Sequence, residues 1–241
     1  FDLAIHKPES LFTETFEVEE RMSVDGQVLE ALNVEQVREG LKALRERGIQ
    51  SLAICLLHAF EYPDHELQVE AIAREVGFEE ISVSHRLARL IKIVARGDTT
   101  VMDAYLNPIL RAYVAGLRRA LRDSKLKIMT SAGGLLEAES FVGKDSILSG
   151  PAGGVVGFSR VAEAAGFKRA IGFDMGGTST DVSRYDGRYD LEFETEKAGV
   201  RVVAPMMAIE TVAAGGGSVC SFDGVKLVVG PDSAGADPGP A

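Results

Sequence analysis

Asp174-Met175-Gly176-Gly177-Thr178-Ser179-Thr180-Asp181 is the stretch that decides the fold of this chain. The run Ile171-Gly172-Phe173 delivers Asp174 at a strand end, and residues 179–184 read as the returning strand of a hairpin. Paired glycines open backbone dihedrals closed to other residues and leave no Cβ to block a ligand. Main-chain N–H groups can then converge on a phosphate as an anion nest, with the Thr178 and Ser179 hydroxyls as further donors. Asp174 and Asp181 would repel phosphate directly but could act through Mg²⁺ or its waters. A tight hairpin, with glycine for the turn and aspartate for capping, explains the same residues. Taken alone, the octapeptide leaves both readings open.

Closely spaced strands continue beyond it. Tyr185-Asp186-Gly187-Arg188 predicts a second turn, followed by a strand over 189–195. Two further glycine runs favour a ligand. Ala213-Ala214-Gly215-Gly216-Gly217-Ser218 follows a short apolar strand, and successive glycines allow close approach to the backbone. Ser149-Gly150-Pro151-Ala152-Gly153-Gly154 places a glycine turn before a helix expected over 151–165. The N–H groups and dipole at such a helix start favour anions.

Upstream of residue 168 the pattern alternates. Phe12, Phe16 and Val18 share a parity that predicts a strand over 12–22, and Asp25-Gly26 marks a turn. Asn33 is an N-cap residue, and Val34, Val37, Leu41 and Leu44 give an amphipathic helix ended at Gly48. The apolar run 49–57 predicts a strand covered on both faces. Pro63 and Asp64 open a helix stopped by Gly77, residues 81–84 read as a strand, a long helix spans 99–121, and 127–130 return as a strand. This alternation predicts an α/β chain with a mostly parallel, helix-covered sheet. Two domains follow, 1–168 and 169–241.

The 241 residues, 46% apolar, can bury a sizeable core. A net charge of −10 excludes a basic nucleic-acid footprint, and Arg118, Arg119 and Arg122 fit a solvated helix face. No apolar run approaches the roughly 20 residues of a membrane span. Cys55 and Cys220 form no metal or disulfide framework, which points to the cytoplasm. The opening at Phe1 and the Gly-Pro-rich close at Ala241 lead us to expect a piece of a longer polypeptide.

Asp-x-Gly-Gly-Thr-x-x-Asp on a strand-turn-strand resembles the phosphate hairpin of the actin/Hsp70/sugar-kinase (ribonuclease H-like) superfold. The wording from Gly172 to Val182 resembles the hydantoinase A/5-oxoprolinase family in particular. Cys55-Leu56-Leu57-His58-Ala59-Phe60, residues 148–157, 213–218 and 229–241 agree in order, so the likeness covers nearly the whole chain. Phe1-Asp2-Leu3-Ala4, residues 94–100, Asp103-Ala104-Tyr105-Leu106, Ser183-Arg184-Tyr185 and residues 195–200 look more like the 5-oxoprolinase branch. The resemblance implies ATP-driven opening of a cyclic amide: 5-oxo-L-proline to L-glutamate, or a hydantoin to an N-carbamoyl amino acid. It implies that Gly176, Gly177, Thr178 and Ser179 hold phosphates, and that Asp174 holds hydrated Mg²⁺. Asp181 would orient the hairpin or a metal water, and Gly215, Gly216 and Gly217 would sit near the nucleotide. A hydantoinase B-type subunit or domain is the implied partner, and self-assembly is compatible. The family's earlier glycine-threonine hairpin has no equivalent before residue 170, so this stretch alone is expected to be inactive. Two rivals stand beside this: an acetone/acetophenone-type carboxylase subunit, and an actin-like module that binds nucleotide without turnover.

Other polar residues admit plainer roles. His58 and His65 are too widely spaced for a compact zinc site and read as structural, although His58 at a strand end could face a substrate cleft. Asp98 reads as a cap near a helix start, and Arg96 either belongs with it or meets a substrate carboxylate. His85 beside Arg86 reads as a surface pair, and Met206 and Met207 as core filler.

Overall fold

The structure is a computed structural model that describes residues 9–122, 124–197, 199–235, 237 and 239. Phe1 to Ala4, Ala198, Ala236, Pro238, Pro240 and Ala241, which belong to segments quoted above, lie outside the described residues. In chain order the elements are β1 Arg21–Met22, β2 Val28–Glu30, α1 Val34–Glu46, β3 Ser51–Ile54, α2 Asp64–Val76, β4 Glu80–Val83, α3 Ser84–Leu87 and α4 Ile93–Leu121. Then come β5 Lys127–Met129, β6 Leu135–Glu137, α5 Ser149–Ala164, β7 Ala170–Met175, β8 Thr180–Tyr185, β9 Leu191–Glu192, β10 Thr195–Lys197 and β11 Val200–Val202. The last are β12 Met206–Met207, β13 Ile209–Val212, β14 Ser218–Phe222 and β15 Leu227–Ser233. Among the described residues no helix is long and apolar enough to cross a membrane.

The chain packs as two compact units, and they interleave in sequence instead of parting at residue 168. One unit takes 1–128, 137–147 and 193–204; the other takes 129–136, 148–192 and 205–241. Helix α5 therefore belongs with the hairpin that follows it.

In the first unit, the Asn33 Oδ1 accepts the Gln36 N–H at 3.1 Å and starts α1 as the sequence predicts. Gly77, at φ 100°, closes α2 in the left-handed conformation that favours glycine. Strands β3 and β4 run parallel in register Leu52↔Ile81 and Ile54↔Val83, with α2 as the crossover. Leu52, Ile54 and Val83 pack with Val37, Leu41 and Leu44 of α1 and Val69, Ile72 and Ala73 of α2. Each such buried aliphatic side chain contributes about 1.5–3 kcal/mol. On the opposite sheet face, the Ser51 and Ser82 hydroxyls donate to the Ala104 carbonyl and to Asp103 of α4, at 2.6 and 2.7 Å.

Three expectations need correction here. The parallel sheet has only two strands, and the other described pairings with a stated direction are antiparallel. Of residues 12–22, only Arg21 and Met22 join a sheet. The Gln36 side chain, accepting from Glu19 N–H and donating to the Glu17 carbonyl, occupies backbone groups a neighbouring strand would use. Helix α4 begins at Ile93, six residues before the predicted start, which puts Asp98 inside the helix and not at its cap.

The second unit is built on a three-stranded antiparallel sheet in the order β13-β8-β7. Register is Asp174↔Asp181 and Gly172↔Ser183 between β7 and β8, and Thr211↔Asp181 and Ile209↔Ser183 between β8 and β13. Helix α5 covers one face through Ala152 and Val155, which bury with Met207 and Ile209. The alternate residues of β7, Ile171, Phe173 and Met175, are exposed on the other face. Of the strand predicted over 189–195, Leu191 and Glu192 pair with β12, while Thr195 begins β10 in the other unit. Met206 and Met207 are buried, as core filler should be.

Candidate functional site

The β7–β8 turn is closed by the Gly176 N–H donating to the Ser179 carbonyl at 2.9 Å. Neither Gly176 nor Gly177 adopts a left-handed φ, so unusual dihedrals are not what glycine supplies here. Steric exclusion by the protein is not the reason either. A Cβ on Gly177 would meet nothing within 4 Å, and one on Gly176 would make ordinary contact with the Ser179 carbonyl oxygen at 3.5 Å. Among the described residues, the N–H groups of Gly177 and Thr178 have no acceptor. The turn is thus a bare, exposed length of main chain with donors to offer.

The glycine triplet is docked on the back of this turn. Gly216 N–H donates to the Gly176 carbonyl at 2.9 Å and Gly217 N–H to the Gly177 carbonyl at 2.7 Å. The Thr180 hydroxyl adds a bond to the Ala214 carbonyl at 2.6 Å. A Cβ on Gly215 would stand 2.6–2.7 Å from main-chain atoms of Gly176, Gly177 and Thr178. Glycine at 215 and 217 therefore serves backbone-on-backbone packing, which the sequence reading had assigned to ligand approach. By taking up the turn's carbonyls, the triplet leaves its N–H groups on offer.

Thr211, Asp181 and Asp174 form a row across β13, β8 and β7. Directly opposed residues on neighbouring strands share a sheet face, so both carboxylates lie on the face α5 covers. With Gly172, Ser183, Ile209 and Pro151, Gly154, Val155 and Phe158 of α5 they line a groove of about 220 Å³. The residues 149–154 do not form a turn before the helix; they are its first turns. Gly154 leaves room beside Asp174, since a Cβ there would come only within 4.0 Å of Asp174 Oδ2. The Thr211 hydroxyl donates to Asp181 Oδ1 at 2.7 Å. Among the described residues neither carboxylate has an ion-pair partner. Two like charges set opposite each other destabilise a strand pair by a few tenths of a kcal/mol or more. A small oxygen-seeking cation would neutralise them, and carboxylate oxygens are the ligands Mg²⁺ prefers. Among the described residues no group of three or more acidic, His or Cys side chains could enclose a metal, so such an ion would complete its shell with water and phosphate oxygens.

Arg96 is not free to meet a substrate. It is fully buried, and its guanidinium donates to Ser84 Oγ at 2.9 Å and to the Leu90, Leu56 and Leu57 carbonyls. Ser84 in turn donates to Glu66, a fully buried carboxylate that also receives the Leu56 N–H and both the N–H and Nδ1 of His85. His85 is therefore part of this buried network, and its other ring nitrogen accepts from Arg86 Nε at 3.5 Å, so the pair with Arg86 forms at the network's outer edge. His65 pairs with Glu20 at 2.6 Å, both nearly buried, which suits its structural reading. His58 lies in the turn after β3, half-buried, its ring tilted 6.4 Å from that of Phe60. Thr211 carries no signal in the sequence, and the sequence does not show what Thr180 and Glu66 bond to, because all three act through partners distant in the chain.

Residues 96–241 match the Hydantoinase/oxoprolinase family, and residues 1–77 match the Hydantoinase/oxoprolinase N-terminal region. The chain is 43% identical to 5-oxoprolinase 1 of Arabidopsis thaliana, covering all of this chain and 21% of that protein. Among solved structures it resembles the ATP-dependent caprolactamase from Pseudomonas jessenii, with a TM-score of 0.80 and 26% identity over 100% of this chain and 37% of that one. It also resembles nucleotide-free acetone carboxylase, with a TM-score of 0.71 and 25% identity over 90% of this chain and 32% of that one. The chain spans about a fifth of the length of the curated relatives it matches. Its hairpin wording and a family match that covers more than half its residues leave one assignment: the chain belongs to the hydantoinase/oxoprolinase family.

Proposed function

We propose that this chain supplies the phosphate-binding hairpin of an ATP-dependent enzyme that opens a cyclic amide by hydrolysis, with 5-oxo-L-proline the favoured substrate and hydantoins next. The observation that carries the reading is Gly177: a glycine with neither a left-handed φ nor a neighbour to exclude a side chain, in a turn whose Gly177 and Thr178 N–H groups have no acceptor among the described residues. What such a residue preserves is space for something outside the chain, and a phosphate fits donors of that kind.

An unstrained amide is a poor electrophile. ATP would supply a phosphoryl group to the amide oxygen with ADP leaving, and water would add to the activated ring carbon. The C–N bond would break with the nitrogen taking up a proton, and a second water would release phosphate from the resulting acyl phosphate to leave the open-chain carboxylate. The chain's own work is positional and electrostatic. Gly176, Gly177, Thr178 and Ser179 would hold terminal phosphate oxygens. Asp174 and Asp181 would hold hydrated Mg²⁺, whose charge offsets that of the phosphates. The docked triplet Gly215 to Gly217 would stiffen the turn from behind. We read this as an actin/Hsp70/sugar-kinase-type hairpin, and a second hairpin and a hydantoinase B-type part belong to the complete protein we envisage. A cytoplasmic setting accords with two cysteines that are both unpaired. A carboxylase reading draws on the acetone carboxylase likeness, which is the weaker of the two structural matches.

The test is Gly177→Ala in the complete protein. Its folding stability should stay within about 0.5 kcal/mol of wild type, while its affinity for an ATP analogue falls about tenfold or more, ~1.4 kcal/mol. Wild-type affinity in that variant would end the phosphate reading. Assays with 5-oxoproline, hydantoins, and ketones plus bicarbonate then separate the substrate classes.

A further inference from the structure

We infer that Thr211 is a positioning residue for the cation at the Asp174–Asp181 pair, an inference that rests on the reading of that pair given above. Thr211 stands directly opposite Asp181 on β13, and its hydroxyl donates to Asp181 Oδ1 at 2.7 Å. This is the one hydrogen bond to the Asp181 side chain among the described residues, and it ties the orientation of that carboxylate to β13. Oδ1 is held by the threonine, and Oδ2 stays available to a ligand. Asp174, across the sheet on β7, carries no such bond among the described residues, which makes the pair asymmetric: one fixed carboxylate and one adaptable one. Partners of this kind, one bond removed from the ion, typically govern metal affinity by about 10–100-fold.

The experiment uses the complete protein and Mn²⁺ as a paramagnetic stand-in, with binding followed by electron paramagnetic resonance in the presence of ADP. Thr211→Val keeps the shape of the side chain and removes the donor; Thr211→Ser keeps the donor. We expect Thr211→Val to weaken Mn²⁺ binding about 10-fold or more, Thr211→Ser to bind near the wild-type level, and neither to shift the thermal midpoint appreciably, since Thr211 is exposed. Asp181→Asn is measured alongside. Weakened binding in Asp181→Asn with wild-type binding in Thr211→Val overturns the inference and leaves the acid pair standing. Equal loss in the serine and valine variants also overturns it, because the hydroxyl is then not the cause. Wild-type binding in Asp181→Asn removes the metal reading of the pair and this inference with it.

Discussion

Gly215 lies against Gly176 with no room for a side chain: an added Cβ would stand 2.6 Å from the Gly176 carbonyl oxygen and 2.7 Å from two further main-chain atoms of the turn. Backbone cannot swing aside as a flexible side chain can. Gly215→Ala should therefore cost about 1–3 kcal/mol in urea unfolding and weaken nucleotide binding by pushing the hairpin turn out of place. Gly216→Ala is the control within the same triplet. Its Cβ would come no closer than 3.8 Å to the Gly176 carbonyl oxygen, so its stability should stay within about 0.5 kcal/mol of wild type. Equal losses at the two positions would disprove the docked arrangement.

Arg96 offers a test of the first unit. Its guanidinium satisfies three main-chain carbonyls and the Ser84 hydroxyl, and the chain Arg96–Ser84–Glu66 links it to a buried anion. Replacing it by methionine strands those carbonyls and removes the guanidinium that reaches the buried Glu66 through Ser84. A buried polar group left unpaired costs about 1–3 kcal/mol, and circular dichroism in denaturant should register a loss of about 3 kcal/mol or more for the several stranded here. Were Arg96 instead a surface-facing substrate residue, Arg96→Met would fold as well as wild type and lose only activity.

The hairpin, the start of α1 and the end of α2 were legible in the sequence because short-range rules set them. Asn33 caps α1, Gly77 ends α2 and the β7–β8 turn sits on its glycines, all through contacts within a few residues. What escaped depends on partners far along the chain. Nothing near residue 215 announces that its triplet will rest on a turn some 40 residues earlier. Arg96 looked like a helix-start residue because the polar cluster Gly97, Asp98, Thr99 and Thr100 masked the helix already running from Ile93. The period-two pattern over 12–22 was real, since Phe16 and Val18 do pack on the core. Yet the Gln36 side chain took the place of the neighbouring strand that the pattern implied.

Tyr185 and Glu163 give the second unit a pH signature. The Tyr185 hydroxyl donates to Glu163, and that bond is the main reason the Glu163 carboxyl is held below the usual carboxylate range and the Tyr185 phenol above its own. The depressed carboxyl contributes stability that is present above its unfolded value, roughly pH 4.3, and lost as pH falls through the lower folded value. The raised phenol contributes stability that is present below roughly pH 10 and lost as pH rises through the higher folded value. Thermal midpoints of wild type and Tyr185→Phe should differ most between these limits and converge beyond both. A difference that ignores pH would show that the bond is not responsible.

The two cysteines should part company in reactivity. Burial pushes the Cys55 thiol up, and the opposing influences, a hydrogen bond with Ser84 and the nearby Arg96 charge, only partly offset it. Its sulfur also faces the start of α4, where a Cβ on Gly97 would sit 3.7 Å away, so a reagent must displace packed structure to reach it. Cys220, on β14, is exposed. Because the thiolate is the attacking species, access and ionisation both disfavour Cys55. At about pH 8 an aromatic disulfide reagent should therefore label the native chain in a fast phase belonging to Cys220 and a slow one belonging to Cys55. Cys220→Ser should abolish the fast phase, and urea should merge the two in the wild type. If the fast phase survives Cys220→Ser, Cys55 is open to solvent, and the packing described here between β3 and α4 is wrong.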